Sequence, residues 1–255
     1  MILFLRSSLF NILFISVTAV MCVLCLPGLL LPRAKAMFIV KLFVNSVYFL
    51  EKNIIGLDYE VRGLEHLPAQ GPYIIAAKHE SPYETMKLHR LFKDPAIILK
   101  KELLSIPLWG KFLQKSGPIA IDRKAGKQSM QQIIDGARVI IAERRPIVIF
   151  PQGTRVYPWQ TIADRPYKIG AARLKKETGV PLIPMALNTG MFWPKGSWLK
   201  QKGKIVFEFL PPVDDRLELP ETLQDLSARL EAASQKLAQE AVDVYKVPDI
   251  RQKKV

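Results

Sequence analysis

From Ser7 to Pro32 the sequence carries no charged residue, 26 consecutive positions rich in Leu, Ile, Val and Phe. About 20 apolar residues in a helix span the hydrocarbon core of a bilayer. A secretory signal has a shorter apolar stretch followed by a small-residue cleavage site. Ala34-Lys35-Ala36 mimics such a site, but it lies far from the N-terminus and is flanked by charge. The run is therefore read as a retained membrane anchor. A second apolar stretch, Met37 to Leu50, is interrupted by Lys41. It is short for a span, and fits an interfacial helix or the return arm of a shallow hairpin. Positive charge is heavier after the first run (Arg33, Lys35, Lys41) than before it (Arg6). That asymmetry places the large domain in the cytoplasm; a re-entrant hairpin with both ends on one side is also compatible.

Residues 1–50 hold these four basic residues and no acidic one, whereas the rest reads as an ordinary domain of mixed charge. The chain divides accordingly into an anchor, 1–50, and a domain, 51–255. The net charge of +14 attracts polyanions without naming one. Nucleic acid, lipid headgroups, an acidic carrier protein and a phosphate-bearing substrate all qualify. Beside an apolar anchor the membrane surface is favoured. Nucleic-acid binding is not expected, since single-strand binders interleave cations with exposed aromatics and no such pattern is present. The two cysteines, Cys22 and Cys25, lie inside the apolar run. With no second pair, they read as small apolar residues and not as metal or redox ligands. No metal site is expected.

In the domain, short β-rich runs recur at Tyr73–Ala77, Ala96–Leu99, Pro118–Ile121, Ile147–Phe150, Leu182–Leu187 and Lys204–Leu210. Helical spacing falls between several of them, over Lys101–Gln114 and Gln128–Arg144. Alternating strands and helices predict an α/β fold, a mixed and mostly buried sheet flanked by helices. Leu223, Leu226, Leu230, Ala233 and Leu237 draw one apolar stripe, so an amphipathic helix over about 220–245 should pack on the domain.

Three runs end in polar groups. Tyr73–Ala77 leads into Lys78-His79-Glu80-Ser81-Pro82-Tyr83-Glu84. In α/β folds function collects at such strand ends. A turn at Pro82 would fold the Glu84 carboxylate back onto the His79 imidazole. A neutral imidazole can then take a proton from a hydroxyl, while the carboxylate fixes its tautomer and stabilises the imidazolium. Ser81 is the alternative nucleophile, but it lacks a G-x-S-x-G setting. Ile147–Phe150 leads into Pro151-Gln152-Gly153-Thr154-Arg155. Gly153 permits close backbone approach, and Thr154 and Arg155 can donate to phosphate oxygens. Pro118–Ile121 ends in Asp122-Arg123. Taken singly, either arginine could equally be a surface charge.

These blocks in this order resemble the glycerolipid acyltransferase family, and within it the bacterial 1-acyl-glycerol-3-phosphate acyltransferases. His79–Glu84 matches its His-x4-Asp motif, Gly117–Arg123 its G-x-x-x-I-D-R block, Phe150–Arg155 its F-P-E-G-T-R motif, and Val180–Asn188 its V-P-hydrophobic-P strand. The resemblance implies that His79, oriented by Glu84, activates the sn-2 hydroxyl of the acceptor, which attacks an acyl thioester directly. It implies that Gln152, Gly153, Thr154 and Arg155, helped by Arg123, hold the acceptor's phosphate. Acyl-CoA or acyl-carrier protein would be the co-substrate, with no bound cofactor. Membrane lipids and the lysophospholipid would be the partners, at the bacterial inner membrane with the catalytic domain facing the cytoplasm. Two positions depart from the family: its Asp is Glu84 here, and its Glu in F-P-E-G-T-R is Gln152.

Overall fold

A computed structural model describes residues 1–249; the last six residues of the expected 51–255 domain lie outside it. The apolar run forms α1 (Ile2–Leu24), a 3-10 turn (Leu26–Leu30) and α2 (Arg33–Leu50). Pro27 and Pro32 interrupt what would otherwise be one long helix, because neither ring fits a helix interior. The chain reverses between them, so the second stretch is the return arm of a hairpin. α1 is long and apolar enough to cross a membrane. Both of its ends, however, are tied to the domain. Near its start, Arg6 donates to the Ile54 carbonyl, and Asn11 bonds the Trp198 carbonyl and the Lys200 ammonium. Past its end, the Leu29 carbonyl accepts from Lys115, and Arg33 clamps Asp94 through two nitrogens at 2.6 and 2.9 Å. The hairpin thus lies along one side of the domain. Its outer face leaves Ile12, Ile15, Phe38 and Phe49 exposed.

A π-helical turn (Glu51–Ile55) and Gly56, at φ +75°, redirect the chain into β1 (Leu57–Arg62). The remaining elements alternate: β2 (Ile74–Ala77), α3 (Pro82–Leu91), β3 (Ala96–Lys100), α4 (Trp109–Lys115), β4 (Ile119–Ile121), α5 (Lys127–Ala142) and β5 (Ile147–Ile149). After them come α6 (Gly170–Thr178), β6 (Leu182–Leu187), α7 (Thr189–Phe192), β7 (Gly203–Phe209) and α8 (Leu219–Tyr245). The seven strands form one sheet in the order β1-β7-β6-β2-β5-β3-β4. Every neighbouring pair is parallel except β6 with β7. The expected mixed α/β sheet is therefore present.

Side chains on successive strand residues point to opposite faces, and β2 shows the consequence. Ile75 and Ala77 join the core shared with Tyr83 and Leu88 of α3. Ile74 and Ala76 join the core shared with Ala137 of α5, Leu174 of α6 and Leu230 of α8. Leu226, Leu230 and Leu237 are fully buried, so the apolar stripe of α8 packs on the domain as its spacing required.

Two features differ from the sequence expectation. The helix expected over Lys101–Gln114 is broken into a 3-10 turn, Lys101–Ser105, and α4. Pro107 cannot sit inside a helix and holds Ile106 extended, while Leu108 takes a left-handed φ of 60°. The edge strand β1 was not anticipated. Its residues Asp58, Tyr59, Glu60 and Arg62 are too polar to stand out, and β7 supplies the pairing.

Candidate active site

The parallel strands β2, β5, β3 and β4 are adjacent and end on the same edge of the sheet. The turns leaving these strands converge there. After β2 comes His79. Its Nδ1 lies 2.7 Å from Glu84 Oε1. Pro82 does not make an isolated turn; it opens α3, whose first turn brings Glu84 back. Ser81 is the N-cap, its Oγ accepting from Tyr83 N–H, and Glu84 Oε1 accepts from Ser81 N–H at 2.8 Å. This capping box was legible in Ser81-Pro82-Tyr83-Glu84. It also uses Ser81 as a buried cap, which removes it as a nucleophile. Glu80 N–H donates to the same Glu84 oxygen. An oxygen receiving two backbone N–H bonds acts towards Nδ1 as an acceptor. Nδ1 therefore carries the proton, and the Nε2 lone pair is free to serve as a base. The ring stacks on Phe150 at 4.2 Å between centroids, and the His79 carbonyl accepts from Val156 N–H at 2.7 Å. The dyad and the 150–156 turn are thereby locked to one another.

After β5, Gly153 turns with φ +71°, a backbone region that favours glycine. A side chain there would also press on Lys168, since a Cβ would lie 3.3 Å from its Nζ. Arg123, after β4, donates to the Gly153 carbonyl through Nη1. Burial pulls the Arg123 guanidinium below its ordinary range, and Glu102 opposes that shift. His79, Arg123, Gly153, Thr154 and Arg155 line one cavity of about 480 Å³. Neither Arg123 nor Arg155 has a carboxylate within 4 Å among the described residues. Lys100, at the end of β3, lines the same cavity. It was not singled out from the sequence, where it is one of a Lys100-Lys101 pair. Only the strand order, with β3 between β5 and β4, brings it to this edge.

Gln152 is placed differently from the rest. It is buried, and its Nε2 donates to the Arg165 carbonyl at 3.1 Å. It is not among the residues lining the cavity; its Nε2 contact is with the loop, and its Oε1 is buried without a hydrogen-bond partner among the described residues. A donor is needed opposite a carbonyl, which an amide supplies and an ionised carboxylate does not.

Away from the polar edge the cavity is apolar. Met21 of α1, Val40 and Phe43 of α2, Ile97 of β3, and Trp109 and Phe112 of α4 enclose it. The hairpin is thus its roof. His89 of α3 marks a further wall; burial pushes its imidazole down to about 4, so it is neutral near pH 7. His66 sits outside the cavity beside Glu65. Among the described residues, no three His, Cys, Asp or Glu side chains converge as a metal site.

The acyltransferase family pattern matches residues 58–188, half of the chain. A 1-acyl-sn-glycerol-3-phosphate acyltransferase from Pseudomonas aeruginosa is 34% identical over 200 residues, covering 78% of this chain and 76% of the relative. The enzyme of that name from Saccharomyces cerevisiae is 29% identical over 168 residues, covering 65% of this chain but only 55% of the relative. The crystal structure of the 1-acyl-sn-glycerophosphate acyltransferase from Thermotoga maritima superposes with a TM-score of 0.73 at 20% identity, covering 91% of this chain and 96% of that one. With the matched region running from β1 through β6 and containing His79, Arg123 and Arg155, the chain belongs to the acyltransferase family.

Proposed function

We propose that the protein transfers a fatty acyl group from an acyl thioester, acyl-CoA or acyl-carrier protein, to the sn-2 hydroxyl of 1-acyl-glycerol 3-phosphate, giving phosphatidic acid. One observation carries this reading: a base and two arginines with no carboxylate within 4 Å among the described residues share a single cavity whose remainder is mostly apolar. That combination suits an anionic headgroup attached to a hydrocarbon chain. The phosphate is held by Arg123, Arg155 and Lys100, with the Gly153–Thr154 turn beneath it. The chains lie under the hairpin.

His79 Nε2 removes the hydroxyl proton as the oxygen attacks the thioester carbonyl. The tetrahedral intermediate collapses, the carbon–sulfur bond breaks, and the departing thiolate takes the proton back from the imidazolium. Glu84 stabilises that imidazolium throughout. No acyl-enzyme is formed, and no bound cofactor takes part. The hairpin anchors the protein by its exposed apolar face in one leaflet of the bacterial inner membrane, with the domain on the cytoplasmic side. Its two ends, bonded to the same domain, favour this over a full span. The basic surface attracts anionic lipid and the acidic donor.

The test is transfer by the purified protein in detergent. Labelled 1-acyl-glycerol 3-phosphate is offered with acyl-CoA or with acyl-carrier protein, against a His79→Ala control. A diacyl product that disappears in the control is the expected result. Product that persists in the control overturns His79 as the base. Absence of product with both donors overturns the acceptor.

A further inference from the structure

His79 is flanked by two residues that the mechanism does not use, Lys78 and Glu80. Both lie just past β2, which ends at Ala77, and their side chains reach other partners than the dyad: Lys78 meets α8 and Glu80 meets α7. Both are almost wholly buried, at 1% and 2% exposure. A buried ion survives only with partners, and three other segments supply them. Lys78 Nζ lies 3.1 Å from Glu231 Oε2 of α8 and 3.9 Å from Glu80 Oε1. The other Glu231 oxygen accepts from Tyr167 OH at 2.8 Å, ahead of α6. The other Glu80 oxygen accepts from Gly190 N–H at 2.9 Å, in α7. The contact at Gly190 is close, since a Cβ there would come within 2.9 Å of Glu80 Oε2.

Glu80 therefore links the dyad to the buried network. Its main-chain N–H holds Glu84 Oε1 in the dyad, while its carboxylate is anchored in the buried network. Resting on the proposed acyl-transfer reading, we infer that Glu80 is a positioning residue for His79, held by the Lys78–Glu231–Tyr167 network, and that its charge tunes the basicity of the dyad from that buried network. The groups facing Glu80 are Lys78 on its own segment, Glu84 of α3, Glu231 of α8, Tyr167 and the Gly190 amide. Burial raises the Glu80 carboxyl to about 7, opposed by Lys78 and the Gly190 amide. Its charge thus changes within the pH range in which an imidazole base works.

The sign follows from Coulomb attraction. Ionised Glu80 stabilises the imidazolium, so removing that charge should let the base remain unprotonated at lower pH. Glu80→Gln keeps the volume and can still accept from Gly190. It should lower kcat on the order of tenfold with the acceptor KM unchanged, and move the acid limb of kcat to lower pH. Tyr167→Phe removes only the outermost hydrogen bond. It should lower kcat less and move the acid limb in the same direction. Each value is taken per folded molecule, with circular-dichroism melts alongside. The same imidazole is followed by NMR titration in wild type and Glu80→Gln, assigned with His79→Ala. Unchanged kcat and acid limb in both variants overturns the inference. So does a loss of activity that only tracks the folded fraction, or a change confined to KM. A wild type without transfer activity overturns the functional reading instead. In that case the NMR titration decides: a shift of the His79 titration to lower pH in Glu80→Gln supports the coupling, and an unchanged one overturns it.

Discussion

The cavity has two kinds of wall, and they are held in place differently. The polar edge is fixed by main-chain bonds: Glu84 takes two backbone N–H groups, Arg123 holds the Gly153 carbonyl, and Val156 N–H holds that of His79. The roof is tied at its ends, by Asn11 with Lys200 and by Arg33 with Asp94, and over the cavity it rests on apolar contact. Main-chain bonds define atomic positions within tenths of an ångström, as proton transfer requires. Apolar packing is non-directional and accepts chains of differing shape. On the proposed reading, the chemistry resides in the rigid wall and chain selection in the adaptable one.

Substitutions at the two walls should fail differently. His79→Ala should lower kcat by about 10²–10⁴-fold while the melting temperature stays nearly constant, checked by transfer assay and thermal unfolding. A comparable loss of stability would mean that the rigid wall depends on the imidazole itself. Arg155→Ala removes a charge-assisted contact of about 1.5–3 kcal/mol, which should raise the apparent acceptor KM roughly ten- to hundredfold with a smaller change in kcat. An unchanged KM would move the phosphate to Lys100 and Arg123.

On the roof, Val40→Trp fills apolar space, and each excluded methylene is worth about 0.8 kcal/mol. The ratio of rates with long and short acyl chains should fall roughly tenfold, with the short-chain kcat retained. Equal loss for all chain lengths would show that the roof governs the chemistry as well. The smallest effect belongs to Gln152→Glu. Loss of the donor to Arg165 should cost about 1 kcal/mol, a few degrees in melting temperature, with the acceptor KM unaltered. A raised KM would return position 152 to the binding site.

The sequence made the fold class legible because the inner strands are buried on both faces, and so read as unbroken apolar runs. Leu182–Leu187 was recovered with its bounds intact. The edge strand β1 was not, since its pairing with β7 is a long-range fact; the break at Pro107 is local, and the apolar spacing over Lys101–Gln114 masked it. At the site, the pairing of His79 with Glu84 was readable from local spacing, whereas Arg123 and Arg155 were singled out only by the resemblance of the ordered blocks. Lys100 and the Lys78–Glu231–Tyr167 network were not. Glu231 lies 153 positions from Lys78, and no local spacing announces that contact.

What the sequence alone determined is whatever local chemistry dictates. It set the apolar N-terminal run, the strand-and-helix alternation, the local return of Glu84 to His79, and the glycine of the 153 turn. The tertiary structure alone decided which strand ends meet, that the hairpin lies over them as a roof, and that Gln152 faces the loop. Those outcomes depend on strand order and on burial shared among distant segments, and a chain's neighbours in space are not written in its neighbours along the sequence.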